Sequence, residues 1–568
     1  MHYCKENNKT SRRAANLLSR KTGIIGKSLS TVPFFVVLAL LIGTVPDSYA
    51  GLSVTLASTD TWNMGSLYLS GSTWTANNHF GVLNDSDWFE DITVKVSSSS
   101  PGEWSPGAGA GSDVFRMSYL IGTATTTVNI SPSVMKSGLA WGSTQYFGLK
   151  FDAPSASTHW DQQEIVVTVA AQAECPSDWE NRTLPSGSPH YSSVIVWVPE
   201  FTPSWGGTAG GFWCDKYESS QPDATTSSMG SIGDDGAVGN TPAVSVYYKV
   251  PWGWITSINA RKAALNRGSG FHLITSLEWA AIADTATVMI GGGGPGGNNN
   301  NIEPTSDQDA DKAGTQYGVL DTYRHGRDGG WHCDYTGTEK DGSGGYLWSI
   351  PQNANGICDM NGNVWEHCAG IHLRESICYL MDNAYSVSSM CGDGTGSSNA
   401  LTDSTKNWPT DQWNGYYLYD SAGTYFAISA NNATALTISG TPSSGFYEIL
   451  KNTGLNVCSG LTSGNRYLSL RTEAILKPHN VCASSDGTGS GTYGNDGYWF
   501  TTTGDRVALR SGCWNNLTLS GVFALCLAGR RPISTPALGC VPADESSLAS
   551  SISACFTGRF SAKGSASI

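Results

Sequence analysis

The eleven residues CDMNGNVWEHC at 358–368 bring together several residue types that could do chemistry. Two carboxylates, Asp359 and Glu366, flank an Asn-Gly-Asn sequence, and a cysteine stands at each end. Two interpretations follow from these types and spacings. The stretch is either a hairpin turn that leads into a strand, with Trp365 in the core and Glu366 capping a neighbouring N–H, or a loop shaped around a cation by its oxygen atoms.

The composition of the 568-residue chain indicates a folded, loop-rich protein with several domains. Hydrophobic residues make up 39% and charged residues only 14%, and 67 glycines favour short strands and structured loops over long helices. The net charge of −14, without a Lys/Arg-rich patch after the first residues, argues against a nucleic-acid partner. The composition does not exclude protein, carbohydrate or small-molecule ligands.

The N-terminus, residues 1–50, has the features of a secretory signal peptide. Basic residues precede the apolar run VPFFVVLALLIGTV at 32–45, and small residues, Ser48 and Ala50, follow at the positions that a signal peptidase reads. The alternative is an uncleaved membrane anchor, for which the run is short and interrupted by proline. We therefore expect a secreted or cell-surface protein with no membrane span after signal removal.

Fourteen cysteines agree with an oxidising compartment. Loss of Cys4 with the signal would leave an odd number, so at least one thiol is unpaired or pairs between chains. The pairing cannot be read from one sequence. The local disulfide candidates are Cys358 with Cys368 and Cys378 with Cys391.

Changes in pattern divide the rest of the chain. Residues 51–173 alternate apolar and polar residues between turn-rich segments, which predicts an all-β sandwich of the immunoglobulin-like type. Mixed α and β signals cover 174–400 and 453–540. Between them, 401–452 is predicted to be a small β insert with aromatic strands, and the Ser/Ala-rich tail at 541–568 is expected to be loosely ordered.

Two helices are predicted in the mixed region. In TSLEWAAIA (275–283), Thr275 can cap the first turn while Glu278 reaches back to the N–H of the capping residue. The second helix is predicted over 257–265, SINARKAAL.

Four segments, taken in order, resemble one protein family. They are FWCDKYESS (212–220), GFHLITSLEWAAIA (270–283), ICDMNGNVWEH (357–367) and RVALRSGCW (506–514). They are similar to successive motifs of the formylglycine-generating-enzyme, or sulfatase-modifying-factor, family. The resemblance covers about 175–540, interrupted by the insert. It implies an α+β fold class: a C-type-lectin-like formylglycine-generating-enzyme domain preceded by the all-β sandwich domain.

The resemblance also implies a calcium site in the 358–368 stretch. In the family this loop wraps a calcium ion, and the matching ligands are the side chains of Asp359 and Glu366 and the backbone carbonyls of Gly362 and Val364. Because calcium takes about six to eight oxygen ligands, a loop of this kind suits the ion. We expect any calcium to be structural.

The enzymatic branch of the family supplies an alternative function. Its members hold copper between two cysteines near the final strands, because thiolates suit a soft monovalent ion. The matching positions here are Asn516 and Gly521, whereas Cys513 and Cys526 are displaced. We therefore predict no catalytic residues. The alternative is a copper-dependent oxidase acting on a protein cysteine or other thiol, which would need the two displaced cysteines to meet in space.

The C-terminal segment 512–540 also resembles the variable region of proteins diversified by retroelements. In those proteins a scaffold pattern is kept while asparagine positions are randomised. Several positions where asparagine would be expected are filled here by residues whose codons are reachable from the asparagine codon AAC. The ligand-binding residues that this resemblance implies are Cys513, Trp514, Asn515, Asn516, Leu519, Cys526, Ala528, Gly529, Arg530, Ile533, Thr535 and Ala537. The open alternative is an ordinary final strand pair whose cysteines form disulfides.

The sequence thus predicts an exported ligand-binding protein, similar to an adhesin or receptor, that presents a variable C-terminal surface. Its ligand would be an unknown protein or carbohydrate on a cell or particle surface. Copper enters only under the oxidase alternative. A purely structural surface component is the third possibility.

Overall fold

The chain forms two compact units, residues 1–174 with 564–568 and residues 175–563. The computed structural model describes residues 38–42, 54–288, 349–350, 355–530 and 556–562, apart from short gaps inside these ranges. Each unit has its own hydrophobic core.

The first unit consists of two β-sheets around one core. Its strands are β1 (Leu38–Ile42), β2 (Val54–Leu56), β3 (Ser72–Trp74), β4 (Phe80–Asn84), β5 (Glu90–Val96), β6 (Ser105–Pro106), β7 (Val114–Ile121), β8 (Ala124–Thr127), β9 (Ser133–Leu139), β10 (Thr144–Asp152) and β11 (Ile165–Ala173). One sheet has the order β1-β11-β5-β9, and the other contains β2-β4-β10-β7-β6. Phe147, Leu149 and Phe151 alternate along β10 and are fully buried, as the period-two pattern of the sequence predicts.

The second unit contains the remaining described elements. Its strands are β12 (Glu180–Thr183), β13 (Val194–Val198), β14 (Phe212–Asp215), β15 (Phe271–Leu273), β16 (Ser349–Ile350), β17 (Ile357–Cys358), β18 (Trp365–Arg374), β19 (Ile377–Leu380), β20 (Cys391–Ser397), β21 (Ala400–Thr402), β22 (Tyr417–Tyr419), β23 (Tyr425–Asn431), β24 (Ala435–Ile438), β25 (Gly445–Asn456), β26 (Asn465–Arg466), β27 (Gly497–Phe500), β28 (Asp505–Arg510), β29 (Leu525–Arg530), β30 (Phe556–Gly558) and β31 (Phe560–Ala562). Its helices are α1 (Ser257–Leu265), α2 (Ser276–Val288) and the single turn α3 (Val387–Met390), with a 3₁₀ turn at Lys477–His479.

One large sheet dominates the second unit. Its order is β20-β21-β24-β23-β22-β25-β19-β18-β28-β29-β27-β26. Because β20 also pairs with β25, six of these strands form a closed ring, from β20 through β25. Leu401, Leu418 and Leu436, from three strands of the ring, are fully buried in one core. A smaller sheet has the order β12-β13-β14-β31-β15.

The predicted α+β, C-type-lectin-like fold class is wrong. The described residues are mostly β, with 43% in strands and 8% in helices, and they contain the closed ring of strands. The mixed pattern in the sequence corresponds to only two helices of more than one turn among the described residues. The physical reason lies in the composition, because glycine, threonine and aromatic residues form turns and strands more readily than helices.

Both predicted helices are confirmed, together with the capping box. Helix α1 covers 257–265, and α2 begins at Ser276 directly after Thr275. The backbone N–H of Thr275 donates to Glu278 Oε2 over 3.0 Å, and the N–H of Glu278 donates to Thr275 Oγ1 over 3.2 Å. These two bonds satisfy N–H groups that have no partner inside the helix.

Strands lie in or next to three of the segments that the sequence analysis delimited. Strand β1, inside the predicted signal, pairs in parallel with β11. The ring begins at Cys391, before the predicted insert at 401–452, and β25 continues past it to Asn456, where it pairs with β19. Strands β30 and β31 lie in the tail that was expected to be loosely ordered. Among the described residues, no helix is both long enough and apolar enough to cross a membrane.

Candidate ligand-binding site

One face of the large sheet carries three tyrosines beside an arginine and an asparagine. In strand order they are Tyr425 on β23, Tyr417 on β22, Asn452 on β25, Tyr379 on β19 and Arg374 on β18. The strand registers place them on one side, because directly paired residues, such as Tyr379 and Asn452, project to the same side of a sheet. We call these five residues the tyrosine face.

The side chains of the tyrosine face contact one another closely. The ring centroid of Tyr379 lies 5.2 Å from that of Tyr417 and 5.9 Å from that of Tyr425. The guanidinium of Arg374 lies 4.2 Å from the ring centroid of Tyr425 and 5.2 Å from that of Tyr379. Asn452 Nδ2 donates to Tyr379 Oη over 2.9 Å. Edge-to-face rings and stacked cations are mutually attractive, so these contacts hold the side chains in one arrangement.

The tyrosine face is partly open to solvent. Tyr417 and Tyr425 are half-buried, and Asn452 is exposed. The side chain of Arg374 is 33% exposed, whereas Tyr379 is only 8% exposed. The accessible surface therefore consists of aromatic edges and faces next to planar polar groups, with Tyr379 as the floor.

Arg374 of the tyrosine face and Lys451, which projects to the opposite side of β25 from Asn452, both have carboxylate partners. Arg374 Nε donates to Asp505 Oδ1 over 3.3 Å, and Lys451 Nζ donates to Asp382 Oδ2 over 2.8 Å. Tyr416 Oη donates to the same Asp382 oxygen, also over 2.8 Å. Burial opposes the charged form of Asp382, but these hydrogen bonds outweigh it and lower the pKa of the carboxyl. The surface is close to electrically neutral.

A buried ionic network lies beside the tyrosine face, on the same side of the sheet. Arg261 on α1 forms an ion pair with Glu448 on β25, and both are almost fully buried. The second carboxylate oxygen of Glu448 lies 3.0 Å from His372 Nε2 on β18, and His372 Nδ1 lies 2.7 Å from Tyr425 Oη. A continuous chain of polar contacts therefore joins helix α1 to the phenol of Tyr425.

A β-bulge at Gly370 completes this network. The pairing of β18 with β28 shifts register between Cys368 and His372, so Gly370 leaves the ladder. Its N–H donates instead to Glu448 Oε2 over 2.8 Å. Gly370 has a φ of +78°, and a Cβ there would lie 2.9 Å from Met381 Sδ, so the position favours glycine.

The network fixes the charge state of Glu448. Burial pushes the pKa of this carboxyl upward, but the charges and hydrogen bonds of Arg261 and His372 outweigh it and hold the pKa well below its usual range. Burial likewise opposes the charge on Arg261, and Glu448 more than compensates, which raises the pKa of Arg261. The pair is ionised in the folded protein.

Of the predicted calcium ligands, only Glu366 lies within the described residues. Asp359, Gly362 and Val364 lie outside them. Glu366 is fully buried on β18, where its Cα pairs with that of Arg510 on β28. The described part of the chain contains no group of three or more metal-ligating side chains. The calcium site stays a prediction.

The predicted variable surface is mostly outside the described residues. The members that lie outside are Cys513, Trp514, Asn515, Asn516, Leu519, Ile533, Thr535 and Ala537. Of the others, Cys526 and Gly529 are buried in β29 between β28 and β27, Ala528 is half-buried, and Arg530 ends the strand. Cys526 and Gly529 are three positions apart on the strand and so project to opposite sides of the sheet, and both are buried there.

The thiols of the described residues do not form a copper site. Cys526 is disulfide-bonded, and because no other described cysteine forms a disulfide, its partner lies outside the described residues. Both local pairings expected from the sequence are wrong, since none of the four buried cysteines concerned forms a disulfide; they are Cys358, Cys368, Cys378 and Cys391. Burial raises the pKa of the Cys391 thiol to about 12, so it carries no thiolate near neutral pH.

Gly521, at one of the two matching catalytic positions of the family, has no room for a cysteine side chain. A Cβ there would lie 2.1 Å from Asp496 Oδ1. Asp496 is itself fixed, because its Oδ2 accepts the N–H of Phe523 over 2.8 Å. The glycine is therefore required by packing.

Replacing Gly521 with alanine is expected to lower the free energy of unfolding by about 1–3 kcal/mol, through overpacking against Asp496. Denaturant unfolding of the two proteins measures the difference. Gly187→Ala is the matched control, because a Cβ at Gly187 meets nothing within 4 Å. Equal stability of the two variants would contradict this packing argument.

No family model matches the chain, and no curated protein matches it significantly.

Sequence analysis missed the tyrosine face. One signal was visible, the run GYYLYD at 415–420, where Tyr417 and Tyr419 alternate as they do on one side of a strand. The run lies inside the predicted insert at 401–452, whereas Arg374 on β18 and Tyr379 on β19 lie outside it. Only the strand order brings Arg374 and Tyr379 beside it.

Proposed function

We propose that this protein is an exported, non-catalytic ligand-binding protein and that the tyrosine face is its contact surface. The observation that carries the proposal is a set of half-exposed tyrosines fixed by a buried ionic network, through the 2.7 Å contact of Tyr425 with His372. Tyrosine supplies a large contact area with little loss of side-chain entropy, and a surface that is already rigid loses less on binding. Export is supported by the N-terminal sequence pattern.

The buried thiols support a non-catalytic role. An oxidase of the resembling family would need two thiolates that can reach one copper ion. Cys526 is held in a disulfide, and Gly521 has no space for a replacement thiol. The C-terminal segment 513–537 stays a second proposed contact region, with Cys526 and Gly529 as buried support.

Binding of the labelled full chain to a panel of bacterial and animal cells tests the proposal. We expect binding to at least one surface and a loss of at least about tenfold in affinity for Tyr417→Ala, since one aromatic anchor often contributes that much. Tyr146→Ala is the matched control, because Tyr146 is exposed on the first unit. A copper(I) titration runs beside it. Two results of the cell-binding experiment would overturn the proposal: binding to no cell surface, and equal binding by Tyr417→Ala and Tyr146→Ala. Tight copper binding that is lost in Cys526→Ser would overturn it as well.

We further propose structural calcium at the 359–366 loop. The buried carboxylate of Glu366 is an oxygen donor of the type calcium takes, which supports the assignment. A chelator is expected to lower the melting temperature by several degrees, because a ligand that binds only the folded state stabilises it. Glu366→Gln should abolish the chelator's effect while keeping the shape of the side chain. If the chelator leaves the melting temperature of the wild type unchanged, the proposed calcium site is wrong.

A further inference from the structure

We infer that the tyrosine face binds a neutral carbohydrate, with one sugar ring stacked against Tyr417 and Tyr425. This inference rests on the proposed function, because it names the ligand class of the same surface. It commits to an uncharged glycan as the occupant. Anionic polymers and protein partners are outcomes that the experiment separates.

The apolar part of the surface suits a sugar ring. One face of a pyranose presents C–H groups, which pack on an aromatic ring and leave the hydroxyls at the edge. Tyr417 and Tyr425 are half-buried, so their rings offer part of their surface to solvent. Tyr379 lies beneath them, with its centroid 5.2 Å and 5.9 Å from theirs. Apolar area of this kind, bordered by a few placed polar groups, is the usual composition of a small-ligand site.

The polar part of the surface suits hydroxyl groups. Asn452 is exposed, and its amide is oriented by two hydrogen bonds, Nδ2 to Tyr379 Oη at 2.9 Å and Gly454 N–H to Oδ1 at 2.9 Å. The guanidinium of Arg374 is stacked on Tyr425, with its side chain one third exposed. An amide offers both donors and acceptors, and a guanidinium offers five donors in a plane. A sugar hydroxyl, which donates and accepts, can pair with either.

The charge balance argues against an anionic ligand. The cation of the tyrosine face, Arg374, lies 3.3 Å from Asp505, so its charge is offset by a carboxylate and attracts a phosphate, sulfate or uronate only weakly. The whole chain carries a net charge of −14, which repels polyanions further. Because the surface is close to neutral, we expect the ligand affinity to change little with ionic strength.

The recessed tyrosines argue against a protein partner. Protein interfaces of ordinary size bury about 800 Å² on each side and use protruding aromatic anchors. The large hydrophobic side chains that protrude from the described residues are Tyr68, Trp74, Ile130, Val134, Tyr146, Tyr191 and Tyr247. None of them belongs to the tyrosine face. A single sugar unit is small enough to reach rings that a flat protein surface would not contact fully.

A glycan array followed by titration calorimetry tests the inference on the full chain. We expect binding to neutral hexose or N-acetylhexosamine oligosaccharides, with little change in affinity between low and moderate salt. Tyr417→Ala is expected to weaken the best neutral oligosaccharide at least tenfold, and Arg374→Met several-fold. Tyr146→Ala is expected to bind as the wild type does. Thermal melting of each variant shows that it is folded.

Three outcomes would overturn the inference. They are no binding to any neutral glycan, a preference for anionic glycans that fades with salt, and an affinity that Tyr417→Ala leaves unchanged in a folded variant. Periodate treatment of the target cells separates this failure from failure of the proposed function. If the protein no longer binds the cells after their glycans are oxidised, a carbohydrate ligand is supported. If binding survives periodate but is lost in Tyr417→Ala, the surface binds a protein and only the ligand class is wrong.

Discussion

Replacing Glu448 with glutamine is expected to lower the free energy of unfolding by about 3–5 kcal/mol. The substitution keeps the shape of the side chain but leaves the guanidinium of Arg261 buried without its counter-charge, since both side chains are 3% exposed or less. Desolvating one unpaired charge costs several kcal/mol, whereas the original pair is compensated. Chemical denaturation, with calorimetry for the transition of the second unit, measures the change.

A double variant and a surface pair are the controls for Glu448. Arg261→Met with Glu448→Leu removes both charges, so we expect it to recover most of the lost stability, because neither partner stays buried and charged. Glu473→Gln removes one partner of the half-exposed pair with Arg471, and it should cost less than about 1 kcal/mol. If Glu448→Gln were no more destabilised than Glu473→Gln, the buried network would have no structural role.

Acidification from pH 6.5 to pH 4 is expected to lower the free energy of unfolding by up to about 3 kcal/mol for each of His367 and His479. Burial lowers the pKa of each imidazole from 6.5 to about 4, against the opposing effect of a hydrogen bond to a backbone carbonyl. The unfolded chain therefore takes up protons near pH 6.5, while the folded chain resists them until about pH 4. Stability is full above pH 6.5 and falls through this interval.

Unfolding measured at several pH values checks this expectation. His479→Gln should be less stable at neutral pH, yet its stability should fall less between pH 6.5 and 4, because one titrating group has been removed. His159→Gln is the control, since the side chain of His159 is 41% exposed on the first unit. Glu448 titrates in a lower interval, because its pKa is depressed and its contribution is lost only when acid protonates the folded carboxyl. A wild type with constant stability from pH 6.5 to 4 would contradict the proposed burial of neutral histidines.

The buried network affects ligand binding as well as stability. His372 contacts Glu448 on one side and Tyr425 on the other, so a change in Glu448 also removes the support of one ligand-contacting ring. We therefore expect Glu448→Gln to weaken ligand binding even though Glu448 does not reach the surface. Glu448 is therefore a positioning residue. The variant Tyr425→Phe loses only the contact of its hydroxyl with His372, so its ligand affinity shows how much of the effect of Glu448→Gln depends on that contact.

Local features of the sequence determined the local structure correctly. The capping box of Thr275 and Glu278 needs residues only three positions apart, so it could be read directly, and α2 begins where it predicts. The alternation in 143–154 and 162–172 likewise predicted β10 and β11. The family resemblance, based on short motifs, led to the wrong fold class, because motifs of a few residues do not specify how strands are ordered in a sheet.

Sequence proximity misled the disulfide predictions for a related reason. Cys358 lies on β17 and Cys368 on β18, and an extended chain advances about 3.3 Å per residue. A disulfide needs Cα atoms within about 7 Å, a condition that depends on how strands are arranged and not on distance along the chain alone. None of the four cysteines in the expected pairings forms a disulfide.

The sequence by itself determined the short helices, the alternating strands and the aromatic composition, because those follow from contacts between residues a few positions apart. Only the tertiary structure decided that Arg261 meets Glu448 from 187 positions away and that Tyr425 meets His372 from 53 positions away. Such meetings depend on the order and register of strands from distant parts of the chain. No local pattern encodes that order, since it is set by which buried faces pack best together.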